Sequence, residues 1–493
     1  MATQDWSKLA AEVKYPTQLL INGKWQTSNE VLKVVSPIDG KIVAEVSSAT
    51  EKDVDLAVTT ARKSFEDGRW SRLSPVQRKE ILLKWAALCQ QHADQLAVLH
   101  SIEMGKPARE AKNVDMRSVV NTIRWYGEAI DKVLDEIPNT AENALALIRR
   151  EPAGVVGAVV PWNFPLTMAA WKLAPALAVG CSVVLKPSEN SPLSALYLAQ
   201  LAMEAGIPEG VLNVVNGSGL VAGQALGRHP DVDIITFTGS TQVGKKFMEY
   251  AAQSNAKRVW PELGGKSPNI IFDDANIEKA ANTAAWSIFY NQGEMCTAGS
   301  RLLVQENIYD EVLSRVLEYA KNTQPMNPLD DTAQMGALVS EVHLNRVHAM
   351  VEKAKQESGN PIVGGAPVLT ETGGFYYPPT IFTDTKSESA ISQEEVFGPV
   401  LAITKFKGEA EAVQMANSTL FGLGSAVWTR DLNRAHRVSR NIKAGMVWVN
   451  CYEEGDMTFP FGGVKQSGFG RDKSLHALDK FTDLKSIWID LND

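Results

Sequence analysis

Cysteine is scarce. The 493 residues hold four, Cys89, Cys181, Cys296 and Cys451, far apart and with no C-x-x-C pair. That spacing excludes a cysteine zinc cluster and a disulfide framework, so no metal site is expected and a reducing cytoplasm fits. Positive charge is not in excess either. A formal net charge of -8 argues against nucleic acid as the main partner. Long apolar runs are missing. The longest uncharged run, Pro152 to Trp171, contains Pro161, Asn163 and Pro165, which break a helix, so no membrane span is expected. The start, Met1-Ala2-Thr3-Gln4-Asp5, has no basic stretch followed by an apolar one, so no signal peptide is expected. Repeats and low-complexity tracts are absent.

What remains is ordinary globular composition, 44% hydrophobic and 22% charged, in a chain too long for one core. Two or three domains are expected. Residues Glu51 to Ala129 read as helices: charged, alanine-rich and nearly free of proline. From Val155 the texture alternates. Short β-rich runs at Gly154–Val160, Ser182–Lys186, Val211–Val215 and Asp233–Phe237 are separated by helical stretches, which predicts a parallel sheet covered on both faces. A second alternation follows Glu262, with runs at Asn269–Phe272, Arg301–Val304, Val400–Lys405, Gly424–Trp428 and Gly445–Asn450. The fold class is therefore α/β, with two doubly wound domains. Asp131 to Arg150 reads as an extended excursion and Ser486–Asp490 as a terminal strand. An unpaired terminal strand invites pairing, so an oligomer is expected.

Chemistry gathers around Cys296. It lies in Asn291-Gln292-Gly293-Glu294-Met295-Cys296-Thr297-Ala298-Gly299-Ser300-Arg301, where small residues leave room for a substrate. A cysteine is ordinarily an inert buried side chain, which suffices for Cys89 and Cys181. Around Cys296 the loop N–H groups are expected to lower the thiol pKa and to stabilise an oxyanion. No histidine lies close in sequence, so a cysteine–histidine protease dyad has no local support. Glu262, after the apolar Val259-Trp260-Pro261, reads as a carboxylate at a strand end. Partial desolvation would raise its pKa and suit it as a base; a helix cap or surface acid is the plainer alternative. Asn163, stiffened by Pro161 and Pro165, can donate to an oxyanion or can simply mark a rigid turn.

Phosphate-cradle signals occur twice. Phe237-Thr238-Gly239-Ser240-Thr241-Gln242-Val243-Gly244 follows a strand and opens a helix running to Gln253, placing N–H groups at an anion. Gly217-Ser218-Gly219-Leu220-Val221-Ala222 fits G-x-G-x-x-A, a short and weak match. Lys186-Pro187-Ser188-Glu189 ends a strand at the edge where such sheets bind ligands. Lys186 and Glu189 suit ribose hydroxyls; a surface ion pair is the alternative. A glutamate on the adenosine ribose would repel a 2′-phosphate, favouring NAD over NADP.

Together these runs resemble the aldehyde dehydrogenase superfamily over nearly the whole chain. The resemblance rests on Pro161–Pro165, Lys186–Glu189, Phe237–Gly244, Glu262–Pro268, Asn291–Arg301, Glu395-Val396-Phe397-Gly398-Pro399-Val400 and Pro460-Phe461-Gly462-Gly463. It implies Cys296 as nucleophile, Glu262 as the base for hydrolytic water, and Asn163 with the Cys296 N–H as oxyanion hole. For the cofactor it implies Trp162 and Ser240 near the pyrophosphate, Lys186 and Glu189 on the adenosine ribose, and Glu395 and Phe397 at the nicotinamide. Ser188, Gly219, Phe237, Gly239, Leu263 and Gly264 complete the expected cofactor set, with Gly219 near the adenine. The cofactor is NAD, with weaker use of NADP. The implied domains are 1–131 with 152–262 for the cofactor, 263–466 for catalysis, and 132–151 with 467–493 as a small β oligomerisation element in a tetramer.

Family members carry a glutamate after the Gly-Arg near the C-terminus, partnered with a lysine matching Lys172; here Asp472 stands there, and its shorter side chain puts that relay in doubt. The chain is most similar to the bacterial polyamine-catabolism branch, on Asn450-Cys451-Tyr452-Glu453-Glu454-Gly455-Asp456-Met457-Thr458 and Gly470-Arg471-Asp472-Lys473-Ser474-Leu475-His476-Ala477-Leu478. That branch implies γ-glutamylamino, ω-amino or guanidino aldehydes. Glu453 and Asp456 would attract the cationic tail, and Phe164, Trp171, Tyr290 and Phe461 would line the tunnel; a solvated loop and plain core residues are the alternatives. Competing functions are general aldehyde oxidation, CoA-acylating oxidation and a non-catalytic structural role.

Overall fold

The computed structural model describes residues 4–492. Seven strands form one sheet in the order Arg258–Glu262, Ile234–Thr238, Val155–Val159, Ser182–Lys186, Leu212–Val214, Leu19–Ile21 and Lys24–Gln26. The first five run parallel; the last two join antiparallel at one edge. Six parallel strands form the other large sheet: Thr380–Phe382, Val400–Phe406, Arg301–Gln305, Pro268–Ile271, Gly424–Trp428 and Met446–Val449. Every residue of Val155–Val159, Ser182–Lys186 and Ile234–Thr238 is buried. Helices on both faces cause that, and it is why these strands read as unbroken apolar runs. The α/β class and its two parallel sheets are thus as expected, with strand ends within two residues.

The expected helices are Glu51–Glu66, Pro75–Gln91, Ala93–Met104 and Arg117–Ala129. Their starts are written locally. Thr50 and Asp53 form a reciprocal cap, as do Ser74 and Gln77 ahead of Pro75. No described helix is long and apolar enough to cross a membrane. Among the described residues, no group of three or more acidic, histidine or cysteine side chains is placed to hold a metal.

One expectation is met and one needs correction. The excursion after Asp131 becomes a nine-residue strand, Ala144–Pro152. The terminal strand, Thr482–Asp490, pairs with it along its whole length in antiparallel register, Thr482 opposite Pro152 and Asp490 opposite Ala144. The terminal strand is therefore not unpaired, and the case for an oligomer cannot rest on its lacking a partner. The ribbon does leave Leu484 60% and Trp488 68% exposed. Short strands near the N-terminus, Glu30–Val35 paired with Ile42–Ser48, were not expected from the sequence.

Candidate active site

The edge of each large sheet delivers one half of the site. Glu262 ends its strand, 4% exposed, as its environment in the sequence suggested. Asn163 follows the Val155–Val159 strand and is 5% exposed. Cys296 sits in a loop just before the Arg301–Gln305 strand. That loop is tightly built. Asn291, Gln292 and Gly293 all have positive φ, at 49°, 58° and 71°. Two non-glycine residues in succession there store backbone strain, which their side chains restrain. Asn291 Nδ2 donates to Asn163 O at 3.3 Å, and Gln292 bonds Ala337 O and Gly336 N. At Gly293 a Cβ would meet Gly398 O at 2.2 Å, so the loop closes only with glycine.

Cys296 and Asn163 line one cavity with Phe164, Glu395, Phe397, Leu263 and Gly264. Asn163 Nδ2 donates one N–H to Glu294 O at 2.8 Å, which orients the amide and leaves its second N–H for a ligand. Burial, reinforced by the Glu262, Glu453 and Glu395 carboxylates, pushes the Cys296 thiol well above its ordinary pKa, against a backbone bond from Thr297. The expected lowering is therefore not found in the free protein: burial first, and the three acids after it, outweigh the loop N–H bond. Burial and Asp472 raise Glu262 to about 8, against Lys172, Lys480 and Arg471. The shorter Asp472 side chain still reaches Lys172. The Lys172 ammonium meets Asp472 Oδ2 at 2.5 Å, both side chains 1% exposed.

A second cavity of about 490 Å³ joins the first at Pro161, Trp162, Thr238, Gly239 and Ser240. Lys186, Ser188, Glu189, Gly219 and Phe237 line it too. Lys186 is buried and meets Glu189, 46% exposed at its side chain, at 3.2 Å, so the pair links the interior to the cleft surface. Burial opposes ionisation of Glu189, but Lys186 and the Gly219 N–H hold it below the usual carboxylate range. Ser240 caps the Thr241–Ala252 helix through Val243 N. At the far end Glu395 Oε1 accepts from Gly265 N at 2.9 Å, and burial raises this acid to about 7. Phe397 is held at φ 61° by His343 on its carbonyl, 2.7 Å, and by the Trp162 ring, 5.3 Å between centroids.

A third, outer basin of about 720 Å³ is lined by Trp171, Glu453 and Asp456. It is not simply acidic. Arg117, Arg124 and Lys473 also line it. Asp456 is exposed and spends Oδ1 on Thr458 N and Oγ1. Glu453 lies deeper, with Oε1 buried and without a hydrogen-bond partner. Burial raises its pKa, with Thr297 and Lys473 opposing. Of the expected tunnel aromatics, Trp171 stacks edge-on to Phe461 at 4.9 Å. Tyr290 and Phe461 line none of these three cavities. Tyr290 instead shares the buried Lys106 ammonium with Phe164, at 4.7 and 4.5 Å from the ring centroids.

Sequence reasoning missed Arg346, Met168 and Thr238 in the thiol cavity, Lys473 in the basin, and Lys480 beside Asp472. Thr238 and Lys473 lie within motif runs already singled out but were not assigned a role there; Arg346, Met168 and Lys480 lie outside those runs.

A half-buried thiol and a buried carboxylate gather where two parallel sheets meet, with a cleft along one strand edge, an arrangement suited to a nucleotide-dependent dehydrogenase. Residues 25–487 match the aldehyde dehydrogenase family, and the chain belongs to it. It is 50% identical to the NADP/NAD-dependent aldehyde dehydrogenase PuuC of Escherichia coli, over 99% of this chain and 98% of that protein. It superposes with a TM-score of 0.98 on a γ-glutamyl-γ-aminobutyraldehyde dehydrogenase from Burkholderia cenocepacia, 51% identical with both chains wholly covered. An indole-3-acetaldehyde dehydrogenase solved with NAD+ also gives a TM-score of 0.98, at 50% identity with full coverage of both. Equal likeness to enzymes named for such different aldehydes means that overall identity does not assign the substrate.

Proposed function

We propose that the chain oxidises an ω-amino, guanidino or γ-glutamylamino aldehyde to its acid, using NAD in preference to NADP. The carrying observation is that Cys296, Asn163, Glu395 and Phe397 share one cavity, with Glu262 electrostatically coupled to the thiol. The cleft fits a dinucleotide by its donor set. A carboxylate–ammonium pair, Glu189 and Lys186, suits a ribose diol; the Thr241–Ala252 helix start suits a pyrophosphate; Glu395 and Phe397 suit a second ribose and its ring. A bound nicotinamide supplies the hydride acceptor.

The chain's own residues do the rest. Cys296 loses its proton to solvent, its thiolate Sγ bonds to the aldehyde carbon as the C=O π pair moves to oxygen, and the second Asn163 N–H stabilises that oxyanion. Loss of hydride from that carbon restores the C=O and leaves a thioester on Cys296. Glu262 takes a proton from water as its oxygen attacks the thioester; the C–S bond breaks and the acid leaves. Lys172 and Asp472, whose charges both act on Glu262, offer a route for the proton. A CoA-acylating enzyme needs no such base, so a buried Glu262 whose charge acts on the thiol speaks against that reading.

Glu453 supports a cationic substrate. It lines the outer basin with one buried oxygen that lacks a hydrogen-bond partner, and its charge acts on Cys296. The terminal ribbon, with Trp488 and Leu484 exposed, supports the assembly of a homotetramer, and residues 132–151 and 467–493 would form its contact element around the 1–131/152–262 and 263–466 domains. A cytoplasmic location fits the four unpaired cysteines. The test is kcat/KM for guanidino, amino, γ-glutamylamino, indolic and plain aliphatic aldehydes with NAD and NADP. A preference for the indolic or aliphatic members would reject the substrate assignment; thioester formation on adding CoA would reject hydrolysis.

A further inference from the structure

Asp472 is gripped from two sides. Oδ2 accepts from Lys172 Nζ at 2.5 Å, and Oδ1 accepts from Lys480 Nζ. All three are buried, with Lys480 5% exposed at its side chain. They come from three separate elements. Lys172 lies inside the Pro165–Val179 helix, Asp472 is bridged to Phe461, and Lys480 ends the short Leu475–Lys480 turn. An aspartate carboxylate can rotate between two conformers, and one lysine alone would leave Oδ1 buried without a donor. Lys480 removes that freedom.

Charge is the second point. Two ammonium groups against one carboxylate leave an excess of one positive charge in a dry site, which is costly unless compensated. Glu262 is the group placed to compensate it. Its Oε1 is buried and has no hydrogen-bond partner, and Lys172, Lys480, Arg471 and Asp472 all act on it. With Glu262 neutral the Lys172–Asp472–Lys480 cluster carries +1; with Glu262 ionised the four groups sum to zero.

We propose that Lys480 is a positioning residue for the hydrolytic half of the reaction: it pins Asp472 through Oδ1 so that Oδ2 stays on Lys172, and it supplies the positive charge that balances Glu262 as a carboxylate. This inference rests on Glu262 being the base. The groups that face the cluster define its pH response. Burial and Asp472 raise Glu262, and Lys172, Lys480 and Arg471 lower it. Burial brings Lys480 down to about 8, with Asp472 and Glu262 pulling upward and Lys172 downward. The Tyr126 hydroxyl faces Asp472, and Cys296 faces Glu262, Glu453 and Glu395. The Lys480 charge is one of those that lower Glu262. Removing that charge therefore moves Glu262 ionisation to higher pH.

The experiment measures the pre-steady-state NADH burst and steady-state turnover of full-length Lys480→Met, Lys480→Gln and Lys480→Arg from pH 6 to 10, with thermal unfolding as a fold control. Glutamine keeps a donor for Oδ1 without the charge, and serves if methionine prevents folding. In Met and Gln variants the burst amplitude should stay, turnover at pH 7 should fall roughly tenfold, and the pH midpoint of turnover should rise by about one unit. Arginine should return the midpoint to within about 0.3 of the parent value. An unmoved midpoint in Lys480→Gln, or burst and turnover falling together, overturns the proposal. Glu262→Gln is measured alongside. If it spares the burst and slows turnover while Lys480→Gln moves nothing, only the Lys480 inference fails; if it loses both equally, the assignment of the base fails first.

Discussion

Replacing Glu262 by glutamine is the sharpest perturbation of this site. The amide matches the neutral carboxylic acid in shape, so the cavity stays filled and Cys296 keeps its surroundings. In the parent, burial and Asp472 raise Glu262 to about 8 from 4.5. Each pKa unit corresponds to ~1.4 kcal/mol, so ionising this group costs on the order of 5 kcal/mol more in the fold than in the open chain. The sign follows. A raised folded pKa leaves stability intact below about 4.5 and erodes it as pH climbs through about 8. Glu262→Gln therefore unfolds at a temperature equal to or above that of the parent at pH 9, with little difference at pH 4. Catalysis moves the opposite way. Losing a general base slows the water step by about 10²–10⁴-fold, while thiol addition and hydride loss survive. Stopped-flow nicotinamide absorbance should show one equivalent of NADH per site and then near silence, and mass spectrometry of the quenched protein should show the acyl group on Cys296. Equal loss of burst and turnover would refute the assignment, as would a lower unfolding temperature at pH 9.

Three further outcomes are expected. Glu453→Gln should raise KM for cationic aldehydes about tenfold and leave neutral ones unchanged, whereas exposed Asp456→Asn should change it less than about threefold because water screens that charge; equal effects on both substrate types would dismiss electrostatic selection. Glu189→Ser should shift the NADP-to-NAD ratio of kcat/KM toward NADP by about tenfold, read from paired kinetics, because it removes a carboxylate from the adenosine end. Lys106→Met leaves the Asp115 carboxylate, its partner at 2.5 Å, buried and alone. That should cost about 3–5 kcal/mol in denaturant unfolding, and adding Asp115→Leu should recover most of it.

The local chemistry was legible in the chain. Strand–helix alternation reported both parallel sheets, because strands buried on two faces must be apolar throughout. The runs around Cys296, Glu262, Asn163, Lys186 and Gly239 carry their glycines and prolines in sequence, and all five residues belong to the site region in space. The strand-end position of Glu262 followed from its apolar neighbours. Each of these depends on residues a few positions apart.

What folding alone decided lies in pairings across the chain. Whether Asp472 reaches Lys172, 300 positions away, was undecidable from its side-chain length, and Lys480 closing the other side had no local mark. The thiol pKa rose instead of falling because folding desolvates the sulfur and adds the charges of carboxylates at 262, 453 and 395, all distant in sequence from it or from one another. The acidic loop met Arg117, Arg124 and Lys473 in its basin, and the terminal strand found its partner inside its own chain. Hydrophobic periodicity is set by near neighbours and can be read in one dimension. Coulomb energy depends on distance and burial in three, so electrostatics is the part that only the folded chain determines.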